Sequence, residues 1–336
     1  MSKFRRHSDI LEERLINMRN VDLIVPCYNE AEVLEMFYGE ASSAADACPQ
    51  YAFRFIFVDD GSRDDTLGVI LKLEARDPIR VKYISFSRNF GKEAAMLAGM
   101  KYSSGDYVGI IDADLQHSPE LVIDMLAALE EGYDVAAAKR IDRKGEKGST
   151  SAFSKLFYKI SDKMVDVKIE QGAQDFRVMR RKVVDAIISL PEYSRFSKGI
   201  FSWVGFNTKW FEHANRERAA GKTKWSFFKL MKYAFDGIIA FSAIPLKIAL
   251  LAGMVFSGIG VAYALYIVIR TLIYGPDAPG YPSLITAVFI IGGLILFSLG
   301  IIGEYLARIY LEVKHRPVYI INQTNLEPAA QRIHND

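Results

Sequence analysis

The chain has 336 residues, of which 50% are hydrophobic, 24% charged and 12% aromatic, with a formal net charge of +2. That length and apolar content allow a full core and exclude disorder, a collagen-like repeat and a disulfide scaffold. So small a charge excess argues against a nucleic-acid partner, and two cysteines, Cys27 and Cys48, read as reduced packing residues.

In chain order, residues 1–20 form a charged N-terminal segment without the apolar stretch of a cleavable signal. Ile10, Leu11, Leu15 and Met18 share one helical face, which predicts an amphipathic cytosolic helix. From Val21 to Phe211, short apolar runs alternate with amphipathic stretches. Strands are predicted at 21–25, 53–58, 81–86, 107–111 and 135–138, and helices over 66–75, 94–101 and 119–131. The alternation implies βαβ units and an α/β domain over 21–211 with a mainly parallel sheet. Residues 141–150, rich in Lys, Arg, Gly and Glu, read as a mobile loop. Residues 212–243 mix basic and aromatic side chains, which suits helices lying in a membrane interface.

No charge occurs from Ile248 to Ile269 or from Leu284 to Gly303. Each stretch exceeds the roughly 18 apolar residues a membrane span requires, so transmembrane helices are expected at 244–273 and 283–306. Gly253, Gly258, Gly260, Gly292, Gly293 and Gly300 are expected to let these helices pack closely. Glu304 and Arg308 stand at i and i+4 and are expected to pair. Basic flanks on both sides of the hairpin put both termini on the cytosolic face, with 307–336 as a cytosolic tail. A buried core hairpin is the alternative.

Three polar clusters follow strand ends, where open α/β sheets bind ligands. In Asp112-Ala113-Asp114-Leu115-Gln116, two carboxylates one residue apart can reach one hard cation such as Mg²⁺ or Mn²⁺, although such pairs also occur in ordinary turns. In Asp59-Asp60-Gly61-Ser62-Arg63-Asp64-Asp65-Thr66, one polar residue suits a helix cap. Two adjacent acids exceed that need, and one can accept from a uracil or guanine N–H. In Pro26-Cys27-Tyr28-Asn29-Glu30, Tyr28 can pack on a base or ribose and Glu30 can open a helix with a favourable dipole.

The order and spacing of these clusters resemble glycosyltransferase family 2, inverting nucleotide-sugar transferases with a Rossmann-like GT-A fold. Ser87-Arg88-Asn89-Phe90-Gly91-Lys92-Glu93-Ala94-Ala95, Gln174-Asp175-Phe176-Arg177, Gly221-Lys222-Thr223-Lys224-Trp225 and Gly303-Glu304-Tyr305-Leu306-Ala307-Arg308-Ile309-Tyr310 narrow it. These segments are similar to polyisoprenyl-phosphate glycosyltransferases, relatives of dolichol-phosphate mannose synthase with two C-terminal spans. The resemblance covers nearly the whole chain after Val21. It implies that Pro26, Tyr28, Glu30, Asp59 and Asp60 bind the nucleotide, and that Asp112, Ala113, Lys92 and Arg140 meet the nucleotide sugar. It further implies that Asp114 and Gln116 ligate Mg²⁺ or Mn²⁺ and that Asp175, with Asp112, is catalytic. Arg140, Arg143, Arg177, Lys222 and Lys224 would meet the lipid phosphate. The implied reaction moves a hexose, first glucose from UDP-glucose, to undecaprenyl or dolichyl phosphate at the cytosolic face of a bacterial plasma membrane, in a homo-oligomer. Other donors (GDP-mannose, UDP-GlcNAc, UDP-galactose), other lipid acceptors and an inactive nucleotide-sugar-sensing scaffold are the alternatives. Because a phosphate monoester is already ionised near neutral pH, with a second pKa of about 6, Asp175 is expected to orient as much as to take a proton. A structural Asp175–Arg177 pair and a merely solvated Lys92 are the bland readings.

Overall fold

The computed structural model describes residues 18–140, 170, 172–213, 242, 244–275 and 280–328. The alternating pattern folds as β1 (Arg19–Cys27), α1 (Leu34–Asp46), β2 (Tyr51–Asp59), α2 (Thr66–Arg76), β3 (Val81–Phe86), α3 (Lys92–Tyr102), β4 (Tyr107–Ile110), α4 (Leu121–Glu130) and β5 (Val135–Arg140). Beyond it come β6 (Ala173–Arg180), α5 (Arg181–Ser189), α6 (Ser197–Trp203) and β7 (Thr208–His213). Two long helices, α7 (Ile244–Tyr274) and α8 (Tyr281–Val313), precede a last strand, β8 (Ile321–Thr324). Of the expected interfacial stretch 212–243, residues 212 and 213 belong to β7 instead, and nearly all the rest, like the expected loop 141–150 and most of the N-terminal segment, lies outside the described residues.

One sheet holds every strand among the described residues, in the order β7-β5-β6-β4-β1-β2-β3-β8. Only β6 and β8 run against the rest. Strands covered on both faces read as apolar runs, and β2 shows why: Phe55 and Phe57 pack with Phe37 of α1, Ile70 of α2 and Leu126 of α4. Ile56 and Val58, pointing the other way, pack with Ala95 and Ala98 of α3, Val184 of α5 and Ile200 of α6. Helix α3 comes so close to β1 that a Cβ on Gly99 would stand 2.3 Å from Ile24 Cγ2. That helix carries Lys92 at its start, so the tight packing fixes where the lysine emerges.

The antiparallel β6 matters most for the site. Its register pairs Tyr107 with Arg180 and Ile110 with Arg177. Carried two residues past the strand end, that register sets Asp112 opposite Asp175.

Helices α7 and α8 are long and apolar enough to cross a membrane. Their side chains face outward (Leu272 is 80% and Leu296 71% exposed), which rules out a buried core hairpin. Helix α8 has 33 residues, about 50 Å at the α-helical rise, and so outruns a hydrocarbon core of about 30 Å. Its last turns carry Arg308, paired with Glu304 at 3.6 Å, and Glu312. Among the described residues the glycines do not serve the hairpin as expected: a Cβ on Gly253, Gly258, Gly260, Gly292, Gly293 or Gly300 would meet nothing of theirs within 4 Å.

The chain then returns to the sheet. Strand β8 pairs antiparallel with β3, Ile84 opposite Thr324 and Phe86 opposite Ile321. Tyr319 stacks on Phe86 at 5.1 Å, and Asn325 Oδ1 accepts from the Tyr83 amide at 2.8 Å. The Glu312 carboxylate accepts from the amides of Tyr193 (2.9 Å) and Ser194 (3.4 Å), between α5 and α6. The apolar hairpin is thereby fastened to the α/β domain at two places.

Candidate active site

The first two sequence clusters fold against each other. Asn29, in the left-handed region at φ 53°, donates its amide to Ser62 Oγ (3.0 Å) and accepts from the Arg63 amide on its own Oδ1 (2.8 Å). The Glu30 amide donates to Thr66 Oγ1 at 2.8 Å, and Thr66 in turn donates to Asp64. Gly61 has φ 62°, and a Cβ there would stand 2.3 Å from the carbonyl carbon of Arg88, so glycine is required. Tyr28 and Glu30 are thus presented on a cross-linked double loop at the carboxyl ends of β1 and β2.

Asp59 and Asp60 are buried, and the structure revises the expectation that either is open to a nucleobase. Asp59 accepts from the Ser62 amide (3.0 Å) and the Ser85 hydroxyl (2.9 Å). Asp60 accepts from the amides of Phe90 (2.6 Å) and Gly91 (2.9 Å). Burial pushes the Asp60 carboxyl up to about 6 against those two amides. Both acids therefore hold loops in place, and Asp60 in particular aims the residue after Gly91, which is Lys92.

After β4, the Ile111 amide donates to the Ile24 carbonyl (3.0 Å) and the chain turns at Leu115, a non-glycine residue with φ 56°. Such backbone is uncommon outside glycine and concentrates at functional turns. Here the buried Leu115 side chain anchors it, and the Gln116 amide donates to Asp114 Oδ1 at 3.2 Å. Ala113, expected to meet the sugar nucleotide, is buried with α1 and α4, which leaves its backbone for that contact.

Lys92 joins this turn to β6. Its Nζ lies 2.7 Å from Asp112 Oδ1 and 2.7 Å from Asp175 Oδ2, while 40% of the side chain remains exposed. Burial alone would lower the lysine's pKa, but the two carboxylates raise it well above its ordinary value. Burial would likewise raise Asp175, but the cations Lys92, Lys198 and Arg177 hold it well below the usual carboxylate range. Asp175 is thus a fixed anion and a weak base. Lys92 is a bridge between two acids, not a solvated helix-start lysine.

Arg177 departs from the expectation of a lipid-phosphate contact. Only 3% exposed, it donates to the carbonyls of Gln174 (2.7 Å) and Asp175 (3.2 Å) and lies 3.6 Å over the Phe201 ring. Burial pulls its guanidinium down to about 10. It shapes the backbone that bears Asp175 and does not pair with the Asp175 carboxylate. Arg140 ends β5 beside His213 of β7. Arg143, Lys222 and Lys224 lie outside the described residues.

Four contributors carried no assigned role in the sequence reading. His117 is buried, its ring 5.0 Å from Phe176 and 5.4 Å from His213, and burial lowers it to about 4, so it is neutral. His213 Nε2 lies 3.3 Å from the Gln116 carbonyl, bracing the acidic turn. Glu93 accepts from the Ser197 amide (3.2 Å) and hydroxyl, tying α3 to α6. His117 was marked only by following Gln116, and Glu93 only by lying inside the Ser87–Ala95 segment. Ser197 and His213 had no local signal.

The donor set around the acidic turn suits a hard cation: carboxylates of Asp112 and Asp114 and the amide oxygen of Gln116 are oxygen ligands of the kind Mg²⁺ and Mn²⁺ prefer. Among the described residues, no three His, Cys, Asp or Glu side chains form a cage. An ion here would need substrate oxygens to complete its shell, as is usual when a cation works on a phosphate.

A wound, mainly parallel sheet with acidic turns beyond its carboxyl ends belongs to the α/β class of folds that bind ligands at those ends. Residues 22–188 match the glycosyl transferase family 2 profile, and residues 244–309 match the GtrB C-terminal hairpin. The SfII prophage-derived bactoprenol glucosyl transferase of Shigella flexneri is 40% identical over 91% of this chain and 98% of its own. The prophage bactoprenol glucosyl transferase homolog of Escherichia coli K12 is 38% identical over 90% and 98%. An uncharacterized glycosyltransferase of Synechocystis sp. is 41% identical over 90% and 94%. Among solved structures, Mycobacterium tuberculosis glucosyl-3-phosphoglycerate synthase, in complex with Mn²⁺, UDP and glucosyl-3-phosphoglycerate, superposes on 68% of this chain and 80% of its own at TM-score 0.46 and 18% identity. The chain belongs to glycosyl transferase family 2, in the group that ends in the GtrB hairpin, and is a glycosyltransferase.

Proposed function

We propose that this glycosyltransferase moves glucose from UDP-glucose to a polyprenyl phosphate, with inversion, at the cytosolic surface of the bacterial plasma membrane. The observation that carries the reading is the fastening of the acidic cleft to the apolar hairpin. Glu312, at the end of α8, holds the amides of Tyr193 and Ser194, which lead into α6. Helix α6 touches Glu93 and Arg177 beside the site. Such a joint suits an acceptor whose phosphate must react while its tail stays in the bilayer. The names of the Shigella and Escherichia relatives support the same acceptor and sugar.

In the reaction, an acceptor phosphate oxygen bonds to the anomeric carbon as the bond to UDP breaks, the electron pair leaving on UDP. No proton needs to move, because the attacking oxygen is already ionised. Tyr28, Glu30 and Pro26 cradle the nucleotide, on the loops that Asp59 and Asp60 hold. Lys92 and Asp112 meet the sugar, and Asp175 orients the acceptor. Arg140, with Arg143, Lys222 and Lys224, meets phosphate. Asp114 and Gln116 would hold Mg²⁺ or Mn²⁺ against the donor pyrophosphate, and the ion would neutralise charge on the leaving group. Both termini are cytosolic, and the chain works as a homo-oligomer.

The test uses the full chain in proteoliposomes with undecaprenyl phosphate and radiolabelled UDP-glucose, UDP-GlcNAc, UDP-galactose or GDP-mannose, with Mg²⁺, Mn²⁺ or chelator. Label entering the lipid extract chiefly from UDP-glucose, and lost with chelator, is expected. Label from no donor, or label independent of added undecaprenyl phosphate, refutes the reading.

A further inference from the structure

Three cations bear on the Asp175 carboxylate: Lys92, Lys198 and Arg177. Two are committed elsewhere. Lys92 bridges Asp112 and Asp175, and Arg177 lies buried under Phe201 with its N–H groups on main-chain carbonyls. Lys198 makes no hydrogen bond or ion pair among the described residues, and its side chain is partly exposed.

The helix that carries it is nevertheless fixed. The preceding residue, Ser197, gives its amide and hydroxyl to Glu93, the residue after Lys92 at the start of α3. Phe201, one turn on, covers the guanidinium that holds the Asp175 carbonyl. Lys198 therefore sits on a short helix clamped from both ends by groups that touch Lys92 and Asp175. A phosphate monoester brought beside Asp175 meets a fixed negative charge. It needs a cation not already occupied by protein acids, and an ammonium that no described residue engages meets that need.

We propose that Lys198 is a further acceptor-phosphate residue, its ammonium taking a phosphate oxygen of the polyprenyl phosphate next to Asp175. This rests on the acceptor class proposed above and adds a residue to it. The acidic turn handles the donor pyrophosphate, while Lys198 neutralises the second phosphate and lets it approach.

The experiment compares wild type, Lys198→Met and Lys198→Arg as full chains in proteoliposomes, with undecaprenyl phosphate and UDP-glucose varied separately. In Lys198→Met, KM for undecaprenyl phosphate should rise about tenfold, as expected for a lost hydrogen bond between charged groups, while KM for UDP-glucose is unchanged. Lys198→Arg should restore most of the acceptor affinity. An acceptor KM raised less than about fivefold in Lys198→Met overturns the assignment. So does an equal rise for both substrates that arginine fails to rescue, because that pattern marks a structural role for α6. If wild type forms no labelled undecaprenyl product, the acceptor reading itself falls, and the assignment with it. Product from wild type with unchanged kinetics in Lys198→Met sinks the assignment alone.

Discussion

Replacing Arg177 by methionine tells apart two roles for a cation near Asp175: contact with a lipid phosphate, or support for the backbone. The substitution keeps a long apolar stem but removes the donors to the carbonyls of Gln174 and Asp175 and the charge over Phe201. Hydrogen bonds from a charged donor contribute about 1.5–3 kcal/mol each, and a desolvated cation–π contact about 2 kcal/mol. Against these stands the cost of keeping a guanidinium out of water, several kcal/mol for a buried ion, which is also why its pKa falls to about 10. The expected net loss is about 2–3 kcal/mol, or roughly 4–12 °C in Tm for a domain of this size. Turnover should fall as well, because the Asp175 backbone loses its support. KM for undecaprenyl phosphate should not change selectively. Thermal unfolding of the detergent-purified chain, followed by separate titration of both substrates, measures all three quantities. An unchanged Tm with a selective rise in acceptor KM would refute this reasoning and return Arg177 to the lipid phosphate.

Other outcomes follow from the same contacts. Lys92→Met leaves Asp112 and Asp175 facing each other without a cation, and kcat should fall about 100-fold with the circular-dichroism spectrum unchanged; near-wild-type kcat contradicts the bridge. Asp114→Asn should abolish stimulation by Mn²⁺ or Mg²⁺ without changing Tm, read from activity and thermal unfolding side by side. Glu93, raised by burial from 4.5 to about 6, favours its protonated form in the fold. It therefore contributes most stability below pH 4.5 and loses about 2 kcal/mol as pH rises through 6. The difference in unfolding free energy between wild type and Glu93→Gln should show that slope between pH 4.5 and 6.5, and a flat difference refutes it. Tyr319→Ala removes the stack on Phe86 that helps seat β8, and should lower Tm and speed proteolysis beyond α8 with little change in donor KM.

Much of the α/β domain was legible because β1 to β5 are covered on both faces, and burial on both faces writes an apolar run into the sequence. Strand β6 is different. Gln174, Asp175, Arg177 and Arg180 give it a polar reading, and their charges find partners far along the chain: Lys92 for Asp175, Phe201 for Arg177, and the carbonyls of Tyr133 and Leu129 for Arg180. Local periodicity does not encode such pairings. Strand β8, Ile-Asn-Gln-Thr, is short and at an edge, and its partner β3 lies more than two hundred residues earlier. The acidic turn was legible as a cluster, yet the opposition of Asp112 and Asp175 comes from an antiparallel register that only the folded sheet sets. Asp59 and Asp60 show the reverse limit: two acids at a strand end suggest a ligand, whereas the fold engages both with neighbouring amides and a hydroxyl.

The most direct measurement is a structure of the full chain in a lipid nanodisc with Mn²⁺ and UDP. The expected result is an ion at about 2.0–2.2 Å from oxygens of Asp114 and Gln116, bound also to the pyrophosphate, with the Asp175 side of the site opening toward the headgroups. An ion bound elsewhere, or a cleft that turns Asp175 away from the bilayer surface, would contradict it.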